Sequence, residues 1–170
     1  MNDVIINVIK GDILDASDPV VGHCCNVHNV MGSGVAKVLR TRFPEVYDAD
    51  CECYNIATNH SCTSLGCESL LGRCESIHIT TRPEETNIKH VCNLYGQKYY
   101  GFSSTRYIDY EALYCAIEKL KYFVLLNKFK SVAMPNKIGC VRGGGCWAVV
   151  LEMIKYIFDD TGITVNLYEL

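Results

Sequence analysis

The residues best suited to chemistry gather in two glycine-rich segments. The first runs Asn26-Val27-His28-Asn29-Val30-Met31-Gly32-Ser33-Gly34, directly after a short apolar run at 19–25 and before a helical pattern. The second runs Pro135-Asn136-Lys137-Ile138-Gly139-Cys140-Val141-Arg142-Gly143-Gly144-Gly145, again ahead of a helical pattern. Glycine lets a ligand approach the backbone closely and adopts φ values closed to other residues. The amides at a following helix start carry partial positive charge, which suits a phosphate. Three consecutive glycines can line an anion with amides. Either loop alone is equally what a turn and a helix cap require; two at equivalent positions of one small sheet strengthen the case for a diphosphate cradle. Neither matches a Walker A or GxGxxG pattern, so triphosphates and Rossmann dinucleotides lack support. His23 and His28 flank and occupy the first loop, and histidine is the side chain that titrates nearest neutrality.

The elements that must hold these loops alternate along the chain. Residues 3–9 and 19–25 read as β-branched or apolar strands, and Val35, Val38, Leu39 and Phe43 follow helical spacing from Ser33 onward. A second helix is expected over 45–58, a polar loop over 59–68, and strands over 71–80 and 89–95 either side of an RPEETN turn. A Gly/Tyr/Ser-rich irregular segment over 96–107 precedes the clearest helix, 109–127, with Asp109 as N-cap and Leu113, Ile117, Leu120 and Val124 as its apolar stripe. A strand at 130–134, the second glycine loop, a helix at 146–160, a stop at Gly162 and a strand at 163–168 complete the reading. This is the pattern of a single α/β domain spanning 1–170: a three-layer α/β/α sandwich on a mostly parallel mixed sheet. Ligands of such sheets sit at the carboxyl ends of the strands, so both loops are expected on one rim.

The bulk composition narrows the partners. Lys+Arg number 16 against Asp+Glu 19, a net charge of −3, so no broad basic face for non-specific nucleic-acid binding is expected. No apolar run approaches the roughly 20 residues that span a bilayer, and the N-terminus lacks a basic start with an uninterrupted apolar core. A soluble protein of the reducing cytoplasm is the expectation, with its 11 cysteines as free thiols. Cys51, Cys53, His60, Cys62, Cys67, Cys74 and His78 lie close in sequence. None of their pairs has CxxC spacing, and Cys51 and Cys53 would face apart on a helix, so structural zinc is disfavoured.

Three stretches together carry a family resemblance: VIKGDIL at 8–14, GHCCNVHNVMGSGVAKVLRTRFP at 22–44 and AMPNKIGCVRGGGCW at 133–147. The sequence resembles the macrodomain family, and within it the branch of ADP-ribose 1″-phosphate phosphatases, as does its ending ITVNLYEL. The similarity runs in order through nearly the whole chain, with 50–110 matching only loosely. By this resemblance Asp12 recognises the adenine amino group, with the Ile13 amide beside it, and Tyr168 is the aromatic next to adenine. Asn26 is implied near the distal ribose, and Gly32, Ser33, Gly34 and Val35 around that ribose and the diphosphate. Ile138, Gly139, Cys140, Val141, Arg142, Gly143 and Gly144 are implied as the opposing phosphate-binding loop. Each has a plainer reading: Asp12 can cap a turn, and Tyr168 can pack a core, as aromatics in strands do. Trp147 reads as packing for a helix start.

The catalytic implications are narrower. The phosphatase branch implies His23 as the first catalytic candidate, with His28 second and Asn26 beside them; a hydrogen-bonded structural histidine is an equal reading for either. A neighbouring branch that removes ADP-ribose from glutamate or DNA bases uses a strand lysine and a loop aspartate. Those positions here hold Gln97 and Gly143, and adjacent Lys98 would point to the opposite side of a strand. Three functions follow. One is hydrolysis of ADP-ribose 1″-phosphate to ADP-ribose and phosphate without metal or cofactor. The others are removal of ADP-ribose from a modified protein or nucleic acid, and a non-catalytic ADP-ribose reader. Cys140, inside the second loop, is expected to make binding sensitive to oxidation.

Overall fold

A computed structural model describes residues 3–61 and 67–170, with 60 and 61 described by backbone alone. Six strands form one sheet: β1 (Ile5–Lys10), β2 (Val20–Asn26), β3 (Cys74–His78), β4 (His90–Gln97), β5 (Ser131–Pro135) and β6 (Thr164–Glu169). Their order is β1-β6-β5-β2-β4-β3. All neighbours pair parallel except β3, which runs antiparallel to β4 with Cys74 opposite Leu94 and His78 opposite His90. The short connection between β3 and β4 holds only a single 3-10 turn, Pro83–Glu85. A parallel return needs a longer crossover, so antiparallel pairing is what that length permits.

Four helices cover the two faces: α1 (Gly34–Arg42), α2 (Pro44–Ser61), α3 (Tyr110–Leu126) and α4 (Trp147–Phe158). One core lies between the sheet and α3 with α4, where Leu113, Ile117, Leu120 and Val124 are all fully buried as their spacing predicts. Trp147 packs against the edge of this core. The other core lies under α1 and α2 and is built from Val21, Leu39, Phe43, Val46 and Val91. Burial of each such aliphatic side chain contributes roughly 1.5–3 kcal/mol. The three-layer sandwich of the sequence reading is therefore the observed fold.

Strand alternation divides β2 between the layers. Gly22 faces α3 so closely that an added Cβ would stand 2.8 Å from a Leu120 methyl. His23 and Cys25 face the α1–α2 layer. The segment before α3 is irregular, as read, and Asp109 caps the helix by accepting from the Ala112 amide at 2.9 Å. Among the described residues no helix is long and apolar enough to cross a membrane.

Candidate functional site

The carboxyl ends of the parallel strands carry both glycine-rich loops, and between them lies a cavity of about 570 Å³. That volume is within the ordinary range for small-molecule sites. One wall is Val30 to Ala36, the first loop running into α1; the other is Pro135 to Gly139 with Val141, Arg142 and Gly143. Tyr100, Gly101 and Phe102 close one end, and His23, Cys25, Asn26, Asp50 and Gln97 contribute to its floor. The two loops thus share one rim, as their positions predicted.

The first loop is shaped by Asn26. Its Oδ1 accepts from the His28 amide at 2.9 Å and from the Val30 amide at 3.4 Å, while its Nδ2 donates to Val30 O at 2.8 Å. Asn26 lines the cavity but commits its amide to its own loop. Ser33 is the N-cap of α1 and makes no side-chain cap, leaving the first-turn amides at Gly34 to Ala36 beside the cavity without a side-chain acceptor among the described residues. Gly34 has φ +57°, the left-handed region that favours glycine.

The second loop is held by its neighbours. Gly143 O accepts from the Tyr107 amide at 2.8 Å and the Ile108 amide at 3.0 Å, joining the loop to the connection between β4 and α3. A Cβ on Gly143 would run into Gly139 O, a backbone atom, so no side chain fits there. Arg142 extends over the Phe102 ring with 4.5 Å between guanidinium carbon and centroid, linking two sides of the mouth. Of the residues expected here, Cys140 and Gly144 do not reach the cavity. Cys140 Sγ lies 3.5 Å from Ile138 O, and Gly144 packs on the Thr105–Arg106 backbone. Burial pushes the Cys140 thiol up to about 11, which leaves little thiolate at neutral pH and speaks against the expected oxidation sensitivity.

Asp12, Ile13 and Tyr168 stand on the same rim beyond the cavity wall, on the β1–β6 side. Tyr168 O accepts from the Asn136 amide at 2.8 Å, which places it beside the wall, and its hydroxyl donates to Asp18 Oδ2 at 3.3 Å. Asp12 Oδ1 accepts from the Leu14 amide at 2.9 Å, the turn cap allowed by its plainer reading. Ile13 is buried.

The two histidines separate. His23 is 1% exposed, and its Nε2 lies 2.6 Å from Asn93 Oδ1. Asn93 Nδ2 donates to Val46 O at 3.1 Å, so Oδ1 is the face toward His23 and Nε2 carries the proton. Burial lowers the imidazole to about 4 against the opposing effect of the Asn93 hydrogen bond, so His23 is neutral at pH 7. His28 lies outside the cavity lining: its ring stacks on Tyr99 at 5.4 Å and meets Tyr100 edge-on at 5.6 Å. Its Nε2 is buried with no hydrogen-bond partner among the described residues.

Asp50 was missed by the sequence reading. It is 1% exposed, sits on α2, and accepts from the Tyr95 hydroxyl at 2.7 Å through Oδ1. Burial raises its carboxyl above the usual carboxylate value, against the Tyr95 hydrogen bond. Tyr100, Phe102 and Lys137 were missed as cavity residues too. Lys137 lies inside the second loop but was not among its expected contacts, whereas Tyr100 and Phe102 belong to neither glycine loop and only the fold brings them to the rim. Lys98, in contrast, is drawn away to Asp109 Oδ2 at 3.2 Å, while Gln97 lines the cavity and donates to Tyr99 O at 3.2 Å.

Among the cysteines, Cys51 and Cys53 do face apart: Cys51 pairs with Asn29, whose Nδ2 lies 3.3 Å from its sulfur, and Cys53 is buried in the core under α2. The His60 side chain and Cys62 lie outside the described residues. Among the described residues no cluster of three or more His, Cys, Asp or Glu could hold a metal ion.

An α/β/α sandwich with two glycine loops facing each other at the strand ends is the architecture of a macrodomain. The macrodomain of Mycobacterium tuberculosis DarG superposes with a TM-score of 0.76 at 20% identity, covering 98% of this chain and 99% of that chain. Thermosipho africanus DarTG, solved in complex with ADP-ribose, superposes with a TM-score of 0.68 at 17% identity over 95% of this chain and 41% of its own. In sequence, an uncharacterised 17.5 kDa protein from the tk–vs intergenic region of Enterobacteria phage T4 is 30% identical over 149 residues, 86% of each chain. An ADP-ribose 1″-phosphate phosphatase of Scheffersomyces stipitis is 43% identical over 49 residues, 25% of this chain and 28% of that protein. No family model matches the sequence. The chain has the macrodomain fold.

Proposed function

We propose that the chain binds ADP-ribose across the two loops and hydrolyses ADP-ribose 1″-phosphate to ADP-ribose and phosphate. The observation that carries this reading is the pairing of the loops around one cavity, with the start of α1, which Ser33 does not cap, on one wall and Ile138, Gly139 and Val141–Gly143 on the other. Amides fixed in place stabilise phosphate charge without reorganising. Adenine lies on the β1–β6 side against Tyr168 and Asp12, so the distal ribose and its phosphate reach the β2–β4 side, near Gln97, Tyr100 and Arg142. Asn26 acts by holding the first loop in its binding shape. His23 orders the floor as a neutral hydrogen-bonded ring, and His28 supports the Tyr99–Tyr100 wall from behind.

Water is the favoured nucleophile over lysine. Lys98 is paired with Asp109, and Gly143 has no room for an aspartate, so the lysine–aspartate arrangement is absent from the described cavity. The reading is tested by calorimetric titration with ADP-ribose, then a phosphate-release assay on ADP-ribose 1″-phosphate in the same buffer. Micromolar binding, about −8 kcal/mol, with phosphate release is expected. Binding without release identifies a reader or a hydrolase of another ADP-ribose linkage, and absence of binding removes the proposal altogether.

A further inference from the structure

Resting on that reading, we propose that Asp50 is the general base of the reaction. Asp50 is the one carboxylate on the described cavity lining. Its Oδ1 is committed to the Tyr95 hydroxyl at 2.7 Å, whereas Oδ2 has no hydrogen-bond partner among the described residues. One oxygen is therefore fixed in orientation while the other is free to accept from a water. Tyr95 lies on β4, opposite Cys25 of β2 and two residues before Gln97. β4 is three strands removed from β6, so Asp50 stands at the end of the site away from Asp12 and Tyr168, where the distal phosphate is expected.

The competing group is His23, and geometry disfavours it. Its Nε2 proton is held by Asn93, and the ring is packed between β2 and α2 with the Cys25 sulfur 3.8 Å from Nδ1. A ring held near 4 is a weak acceptor at neutral pH, while a carboxylate raised by burial moves toward the range in which bases work. In the step, the water oxygen bonds to phosphorus as the bond from phosphorus to the 1″-oxygen breaks. One water proton passes to Asp50 Oδ2 and on to the departing 1″-oxygen, restoring its hydroxyl; the other stays on the released phosphate. No further reactant is needed.

Two variants test the assignment, with folding checked by thermal melts. Asp50→Asn is expected to lower kcat for phosphate release by about 100-fold or more, the usual contribution of a positioned base, while ADP-ribose affinity changes less than threefold. Tyr95→Phe keeps the carboxylate but removes a hydrogen bond that stabilises its charged form. The acid limb of its kcat–pH profile should move to higher pH, a readout that mere loosening of the floor would not shift. Release by the wild-type chain with Asp50→Asn near wild-type kcat, or an unmoved acid limb in Tyr95→Phe, overturns this role and leaves the proposed function standing. If the wild-type chain binds ADP-ribose but releases no phosphate, the phosphatase reading falls and takes this role with it.

Discussion

Burial holds His23 at about 4 rather than the usual 6.5, and this makes the floor of the site a pH-dependent part of the fold. The folded value lies below the unfolded one, so the unfolded chain binds the proton more readily. The stability contributed by keeping the ring neutral is thus complete above about 6.5 and is lost as pH falls toward 4. Between pH 7 and pH 5 the loss amounts to about 2 kcal/mol through this residue alone. His23→Gln can still donate to Asn93 but does not titrate. Urea unfolding at the two pH values should therefore show the wild type losing about 2 kcal/mol more than the variant; equal losses would mean that the ring protonates without cost in the fold. At this scale the sequence was legible where a motif was contiguous: Asn26, Gly32–Gly34, Ile138, Gly139 and Val141–Gly143 line the cavity between the two loops, though Cys140 among them does not. Asp50 escaped because α2 carries Glu45, Asp48 and Glu52 as well, and acids along a helix read as solvated surface. His28 was over-read because loop membership says nothing of where a ring turns, and its ring turns to Tyr99 and Tyr100.

Between elements, the second loop and the connection from β4 to α3 behave as one unit. Tyr107 and Ile108 both donate to Gly143 O, and Gly143 has the Gly139 carbonyl and the Gln97 side chain against it. Gly143→Ala must push Cβ into Gly139 O, a backbone atom that cannot rotate aside. Overpacking of this kind typically costs about 1–3 kcal/mol, and here the displaced backbone is the cavity wall proposed to contact phosphate. The variant should melt a few degrees lower and bind ADP-ribose at least tenfold more weakly. Wild-type affinity in Gly143→Ala would show that the loop tolerates movement and that its amides are not the anion contacts. The elements were legible to within two or three residues because α3 and α4 have strong helical periodicity and the strands are β-branched. The 96–107 segment was legible only as irregular: its end is fixed by the Tyr107 amide donating to Gly143 O in the second loop, and local propensity carries no trace of such a partner.

At the scale of the whole molecule, the sheet brings together residues from both ends of the chain. β1 pairs with β6, and Gly11 N donates to Glu169 O at 2.9 Å beside the expected adenine contacts. Alternation of strands and helices foretold the sandwich and the shared rim. The strand order did not follow from it, because the pairing of β1 with β6 is a long-range choice that no local pattern encodes. A ligand lying along this rim binds only the folded arrangement of β1, β6, β5, β2 and β4, so its affinity must appear as global stability. At a concentration 100 times the dissociation constant the gain is about 2.7 kcal/mol. For a chain of this size each kcal/mol raises Tm by roughly 2–4 °C, so ADP-ribose should raise it by about 5–10 °C. In the proposed placement AMP reaches only the adenine end and the first phosphate, leaving Gln97, Tyr100 and Arg142 uncontacted. At equal concentration it should produce a clearly smaller shift, measured by calorimetry or dye-monitored melting. An equal shift from the two ligands would mean that the β2–β4 end adds nothing to recognition, and no shift from millimolar ADP-ribose would mean that the two loops do not form its site.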